Sequence, residues 1–236
     1  MNTLNNIDQL NQILSESDTL SALRWLSENP DYRPVFSTSF GQEDQVLTDL
    51  IFRNNLDIDL FTLDTGRLFS ETHVVMNETL EKYGKKIDVY YPVKESVDKM
   101  VNEKGLYSFY ESVENRKECC GIRKLEPLER ALKPYNIWVT GLRAGQSENR
   151  QNFQKFQYDL KFGTIKFNPL LHWSLNEIEE YLIEHQVPQN ILHSKGYVSI
   201  GCEPCTRAIR PGEDIRAGRW WWEEASKKEC GLHAAS

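Results

Sequence analysis

Hydrophobic residues along this chain recur with two alternating periods, and the switches between them mark out its elements. Over the first 28 residues Ile7, Leu10, Ile13 and Leu14, then Leu20, Leu23 and Leu26, fall at helical spacing, so this stretch reads as helix. "RPVFSTSF" is next, a short β-branched and aromatic run, followed by Gly41 and the helical "EDQVLTDLIFRN". The cycle returns as "IDLFTLDTG" with "RLFSETHVVMNETLEKYG", and again as "KIDVYYP" with "VKESVDKMVNEKG". A helix around residues 122 to 133 leads into a further strand, "NIWVTGLRAG". Alternation of this kind predicts βαβ units, hence an α/β fold whose parallel sheet is covered by helices on both faces.

Beyond this point the pattern changes. "QKFQYDLKFGTIKFNPLL" alternates as a strand pair with a turn at "KFGT". "SLNEIEEYLIEHQV" is an amphipathic helix, with Ser174 as N-cap and Glu177 closing a capping box. With no repeat, low-complexity tract or linker, residues 1–222 read as one domain and residues 223–236 as a mobile C-terminal tail.

Composition narrows the class. A chain of 236 residues, 39% hydrophobic and 27% charged, can bury a sizeable core and fits a water-soluble globular protein. The opening "MNTLNNIDQLNQILSESD" has no basic region followed by an apolar run, and no apolar stretch nears the ~20 residues that cross a bilayer. The expectation is a cytoplasmic protein without a membrane partner. A net charge of −7 argues against general nucleic-acid binding. An acidic protein that binds an anion must gather positive charge locally, and "TRAIRPGEDIRAGRWWW" does so with Arg207, Arg210, Arg216 and Arg219.

Ligands of open parallel sheets sit outside the carboxyl ends of the strands. "STSFGQED", "LDTGRLFSET" and "TGLRAGQS" all fall there. The first sets small residues and Gly41 before a helix N-terminus, where free N–H groups and the helix dipole favour a phosphate or sulfate. It is neither a Walker loop nor a GxGxxG fingerprint.

Five cysteines fall as Cys119 with Cys120, Cys202 with Cys205, and Cys230 alone. In a reducing compartment they are not expected to form structural disulfides. Four thiols in two tight pairs point to a metal centre rather than to unligated core residues or a redox pair. Zinc more commonly takes cysteines two to four residues apart, whereas a [4Fe–4S] cube accepts irregular spacing; the residues alone leave both open. Lys124, about one helical turn past Cys120, could offset thiolate charge and reach a substrate anion. Cys230 lies in the polar ending "KKECGLHAAS", three residues before His233, where it has little to bury against.

Taken together, "SFGQED", "LDTGRLFSET", "CCGIRKLEPL", "GLRAGQS", "GCEPCTR", "GRWWWE" and "ECGLH" resemble the assimilatory sulfonucleotide reductases, specifically the iron–sulfur adenylyl-sulfate reductases. The likeness runs from about residue 35 to 233. It implies a Rossmann-like sheet of the adenine-nucleotide α-hydrolase-like type with a flexible C-terminal tail. It also implies reduction of adenosine 5′-phosphosulfate (APS) to sulfite and AMP, with thioredoxin as reductant, in sulfate assimilation and cysteine biosynthesis. Cys119, Cys120, Cys202 and Cys205 would hold a [4Fe–4S] cluster that stays in one redox state. Cys230 would be the nucleophile, forming an S-sulfocysteine, with His233 as a sulfate contact. Lys124, Arg143, Arg216 and Arg219 match the family's cationic positions, while Ser39, Gly41, Asp64 and Gly141 would hold the adenosine end. A homo-oligomer is implied as well, though no residue pattern marks its interface.

That chemistry is physically coherent. A thiolate approaching an anionic phosphosulfate is repelled unless cations surround it, and the same cations lower the thiol pKa. A hinged thiol can be enclosed to attack and then exposed to a second thiol. Three other readings compete: the same reaction on 3′-phosphoadenylyl sulfate (PAPS), an ATP-dependent transferase on the same fold, and a zinc-stabilised nucleotide-binding module. Reductases restricted to PAPS generally lack the four-cysteine set. The transferase leaves the tail thiol without a purpose. The zinc module would give a colourless protein, a cluster a brown one.

Overall fold

The structure is a computed structural model and describes residues 3–14, 16–146 and 153–224. Eight α-helices and six strands alternate through it. The helices are α1 (Thr3–Leu14), α2 (Thr19–Glu28), α3 (Gln42–Arg53), α4 (Ser70–Tyr83), α5 (Lys94–Lys104), α6 (Val113–Cys120), α7 (Glu126–Leu132) and α8 (Leu175–Glu184). The strands are β1 (Pro34–Ser37), β2 (Asp59–Leu63), β3 (Asp88–Tyr90), β4 (Ile137–Val139), β5 (Phe156–Asp159) and β6 (Thr164–Phe167), forming one sheet in the order β3-β2-β1-β4-β6-β5. Every pairing is parallel except the β5–β6 hairpin.

Alternation along the strands explains the two layers. Phe36 packs on one face with residues of α1, α2, α3 and α8, whereas its neighbour Val35 joins Phe61, Trp138 and the α7 residues Leu128, Ala131 and Leu132 on the other. The expected cover on both faces is present. Chain order makes the crevice: from β1 the chain winds outward through β2 and β3, then crosses to β4 on the opposite side of β1. The carboxyl ends of β1 and β4 therefore flank the topological switch point, where diverging loops leave room for a ligand.

Three boundaries differ from the sequence reading. The opening helical stretch is two helices, because the Asp18 carboxylate takes the Ser21 N–H at 2.8 Å and starts a new one. The helix placed around residues 122 to 133 begins earlier, at the Ser112 cap, and passes through a π-turn at Gly121–Leu125. Its first turns, "VENRKECC", are too polar to show an apolar period. Glu223, assigned above to the tail, belongs to the folded body: its side chain is 4% exposed and ion-paired with Arg116. The capping box of α8 forms as expected. Among the described residues no helix is long and apolar enough to cross a membrane.

Candidate active site

The β1–α3 loop begins the site. Phe40 adopts the left-handed conformation at φ 59°, costly for a residue with a Cβ, and its ring is held in the core. Ser39 donates both its N–H and its hydroxyl to Asp44, each at 2.6 Å. Burial raises the Asp44 carboxyl to about 6, against the lowering effect of those two bonds. Gly41 caps α3 without a side chain. Both Glu43 and Asp44 lie in the first turn, so this helix end is already met by carboxylates and is a poorer phosphate site than its sequence promised. Gly141, at the end of β4, closes the crevice against α3: a Cβ there would collide with Asp44 Oδ1.

The other predicted crevice residues have protein partners. Asp64 accepts the Gly66 N–H at 2.8 Å and pairs with His73 Nε2 at 3.0 Å, shaping the turn for which Gly66 supplies φ 68°. Arg143 is buried and ion-paired with Glu43 at 2.8 Å, rather than facing the cysteines.

The paired cysteines come together. Cys119 and Cys120 end α6, and Cys202 and Cys205 bracket a 3₁₀ turn, Glu203–Cys205. All four are buried free thiols lining a single cavity. Its wall also carries Arg67, Arg116, Arg123, Lys124 and Arg219. The π-turn sets Arg123 and Lys124 four residues beyond Cys119 and Cys120, a local widening of the helix common at functional sites. The loop after β2 joins the crevice to this cavity: Thr65 Oγ lies 3.3 Å from Cys202 Sγ, and Arg123 donates to the Thr65 carbonyl at 2.6 Å.

Burial pushes the Cys119 thiol up, countered by Arg123, Arg67 and Lys124. It pushes Cys205 up to about 12, aided by Cys202 and countered by Lys124 and Arg219. Four thiols gathered among cations fit a thiolate-bound metal group: its charge would displace the protons that burial otherwise holds on the sulfurs, and the cations would offset its net negative sulfur shell. Buried Arg123 Nε and Arg219 Nε have no hydrogen-bond partner among the described residues, leaving donors for such a shell or for a substrate anion. No three His, Cys, Asp or Glu side chains among the described residues are grouped closely enough to hold one metal ion as they stand.

Of the cations named from sequence, Lys124 and Arg219 line the cavity, while Arg143 and Arg216 do not. Arg216 is half-buried in the loop where its N–H meets Asp214. Sequence reasoning missed Arg67, Arg116 and Arg123. The signal was present, since Arg67 and Arg123 stand within the quoted motifs and Arg116 is one helical turn before Cys119. Of the tryptophans, Trp220 is buried between the guanidinium groups of Arg116 and Arg219, Trp222 packs on Tyr110, and Trp221 is exposed. Cys230 and His233 lie outside the described residues.

Known proteins resemble this chain over most of its length. Residues 33–208 match the family model of the phosphoadenosine phosphosulfate reductase domain. An adenosine 5′-phosphosulfate reductase of Sinorhizobium fredii is 54% identical over 205 residues, 87% of this chain and 82% of its own. One from Allochromatium vinosum is 47% identical over 227 residues, covering 96% of this chain and 83% of its own. The solved phosphoadenylyl-sulfate reductase of Candida auris superposes with a TM-score of 0.71 at 29% identity, covering 86% of this chain and 96% of its own. A Candida glabrata FMN adenylyltransferase shares the fold alone, with a TM-score of 0.54, 18% identity, and coverage of 92% of this chain and 79% of its own. By its sheet order, its switch-point crevice and a family match spanning most of its length, the chain belongs to the phosphoadenosine phosphosulfate reductase domain family.

Proposed function

We propose that the protein reduces APS to sulfite and AMP through a covalent adduct on Cys230, using a dithiol protein of the thioredoxin type in a reducing cytoplasm. The coarser statement, an oxidoreductase acting on a sulfonucleotide, follows from its family and relatives. The observation that carries the finer reading is the gathering of Cys119, Cys120, Cys202 and Cys205 in one cavity walled by arginine and lysine, beside the nucleotide crevice.

In the proposed reaction the Cys230 thiolate attacks the sulfonyl sulfur. An S–S bond forms as the S–O bond to phosphate breaks, and AMP leaves with the electron pair. A thiolate of the reductant then attacks Cys230 Sγ, expelling sulfite and forming a mixed disulfide. Its second thiol resolves that bond, restoring the Cys230 thiolate and supplying, with the first, the two electrons that take sulfate sulfur to sulfite. Lys124 and Arg219 would hold the phosphosulfate against charge repulsion, with Arg67 and Arg123 adding to the field and His233 contacting the sulfate. Ser39, Gly41, Asp64 and Gly141 shape the crevice for adenosine. The four cysteines of the cavity would hold a [4Fe–4S] cluster, which would supply fixed charge beside the substrate rather than electrons.

The second reading, PAPS as substrate, is favoured by the name of the Candida auris structure. APS is preferred because the relatives at 47–54% identity are APS reductases. One experiment tests substrate and nucleophile together. Mixed with APS and no reductant, the Cys230 peptide should gain the mass of an SO₃ group and lose it to thioredoxin, with PAPS reacting far more slowly. Product formed while Cys230 stays unmodified would overturn the mechanism.

A further inference from the structure

Arg219 sits in a socket that offers it no carboxylate among the described residues. It is buried and lines the cysteine cavity. Arg116 and Arg143, comparably buried, each face a glutamate. For Arg219 the described residues supply only long hydrogen bonds: Nη1 donates to the Ile200 carbonyl at 3.3 Å and to the Ser199 hydroxyl at 3.4 Å, and Nε has no partner. Two residues shape the socket. One is Trp220, whose ring centre lies 4.8 Å from the guanidinium carbon. Its backbone is held at φ 41°, a left-handed conformation unfavourable for a residue with a Cβ. The Trp220 N–H on the Cys205 carbonyl at 3.1 Å, and the antiparallel bridge of Arg219 with Thr206, fasten that backbone to the CxxC turn. The other is Gly201: a Cβ there would lie 2.6 Å from Arg219 Cζ and closer still to Nη2. Its backbone is not left-handed, so space rather than conformation calls for a glycine.

We propose that Gly201 and Trp220 are positioning residues for Arg219, forming a socket that places its guanidinium at the cavity with donors left over for the phosphosulfate. The proposal rests on the reading of Arg219 as a cation for that anion. A buried arginine facing a carboxylate has its charge and its N–H groups already engaged. An indole face attracts the cation without taking up those N–H groups in paired bonds, so they stay available to a ligand. Nε is such a donor here. A buried cation without a counter-charge is unfavourable, which biases the socket toward an entering anion. Gly201 makes the room, because the group that a methyl at this position would meet is the end of a long side chain. The fold can therefore absorb that methyl by letting the guanidinium move, and it is this displacement that the substrate should feel.

A double-mutant cycle on kcat/KM for APS, run on the full-length holoprotein with thioredoxin, tests this. Gly201→Ala should lower kcat/KM about tenfold or more, the scale of hydrogen bonds to a charged group, with iron content and visible absorbance at the wild-type level. In an Arg219→Ala background there is no guanidinium to displace, and the same substitution should change kcat/KM by less than about twofold. A Gly201→Ala enzyme with wild-type kcat/KM overturns the proposal. So does a loss of equal size in both backgrounds, which would mark a role in the CxxC turn and not through Arg219. Trp220→Leu, which removes the ring face, goes through the same cycle and decides the matter should Gly201→Ala fail to assemble. A loss that disappears with Arg219 supports the socket, whereas an equal loss in both backgrounds, or none, overturns it. Wild-type kcat/KM in Arg219→Ala alone would instead overturn the reading of Arg219 beneath the proposal.

Discussion

Single residues carry most of the chemical argument. In the proposed reaction the Cys230 thiol acts only after substrate is bound, so Cys230→Ser should abolish sulfite release, by at least about 10³-fold, while AMP affinity stays within about twofold. Sulfite assay and calorimetry separate the two effects, and appreciable turnover by the variant would end the mechanism. Asp44 is legible in "SFGQED" only as a polar residue; its consequence comes from burial, which lifts its carboxyl to about 6. The folded protein keeps this proton at a pH where the unfolded chain has released it. Stability from this group is therefore full below about pH 4 and falls as pH rises through 6, by an amount on the order of 3 kcal/mol. Asp44→Asn should flatten that slope in urea titrations between these limits; an unchanged slope would mean that the carboxyl titrates normally.

Elements decide which residues meet. The crevice exists because β4 lies beside β1, so that the Gly141 turn abuts the first turn of α3. Gly141→Ala forces a methyl onto the Asp44 carboxylate and should cost about 1–3 kcal/mol, with AMP affinity falling alongside. Chemical denaturation and AMP titration measure both, and a variant with wild-type values would show that the loop yields freely. The π-turn at Gly121–Leu125 was not legible, since an apolar period tells helix from strand but not a π-turn from an α-turn. The hairpin of β5 and β6 was legible because its alternation is strict and Gly163, at φ 66°, fits the turn.

At the scale of the whole molecule, the cysteine cavity is assembled from segments far apart in the chain, residues 119–124 and 202–220, with the β2 loop between them. Removing one thiol should dismantle the proposed cluster. Cys202→Ser is expected to give a colourless protein with little iron and a collapsed sulfite rate, checked by visible absorbance and iron analysis beside the activity assay. A colourless variant with full activity would detach the cavity from catalysis. The same assembly explains the mixed outcome for the predicted cations. Lys124 and Arg219 reach the cavity, whereas Arg143 is spent on Glu43 and Arg216 stays in the loop by Asp214.

The chain's local pattern was enough to establish an alternating α/β protein, a strand hairpin, a capped final helix and a set of motifs distinctive of one family. Those properties depend on spacing between near neighbours, which side-chain periodicity and turn chemistry record directly. Tertiary structure decided the rest: the two-sided packing partners, the ring of arginines around the thiols and the pinning of Glu223. Such contacts join residues up to a hundred or more positions apart, as between Arg116 and Glu223. Strand order and burial select them from many guanidinium and carboxylate groups that look alike in the sequence.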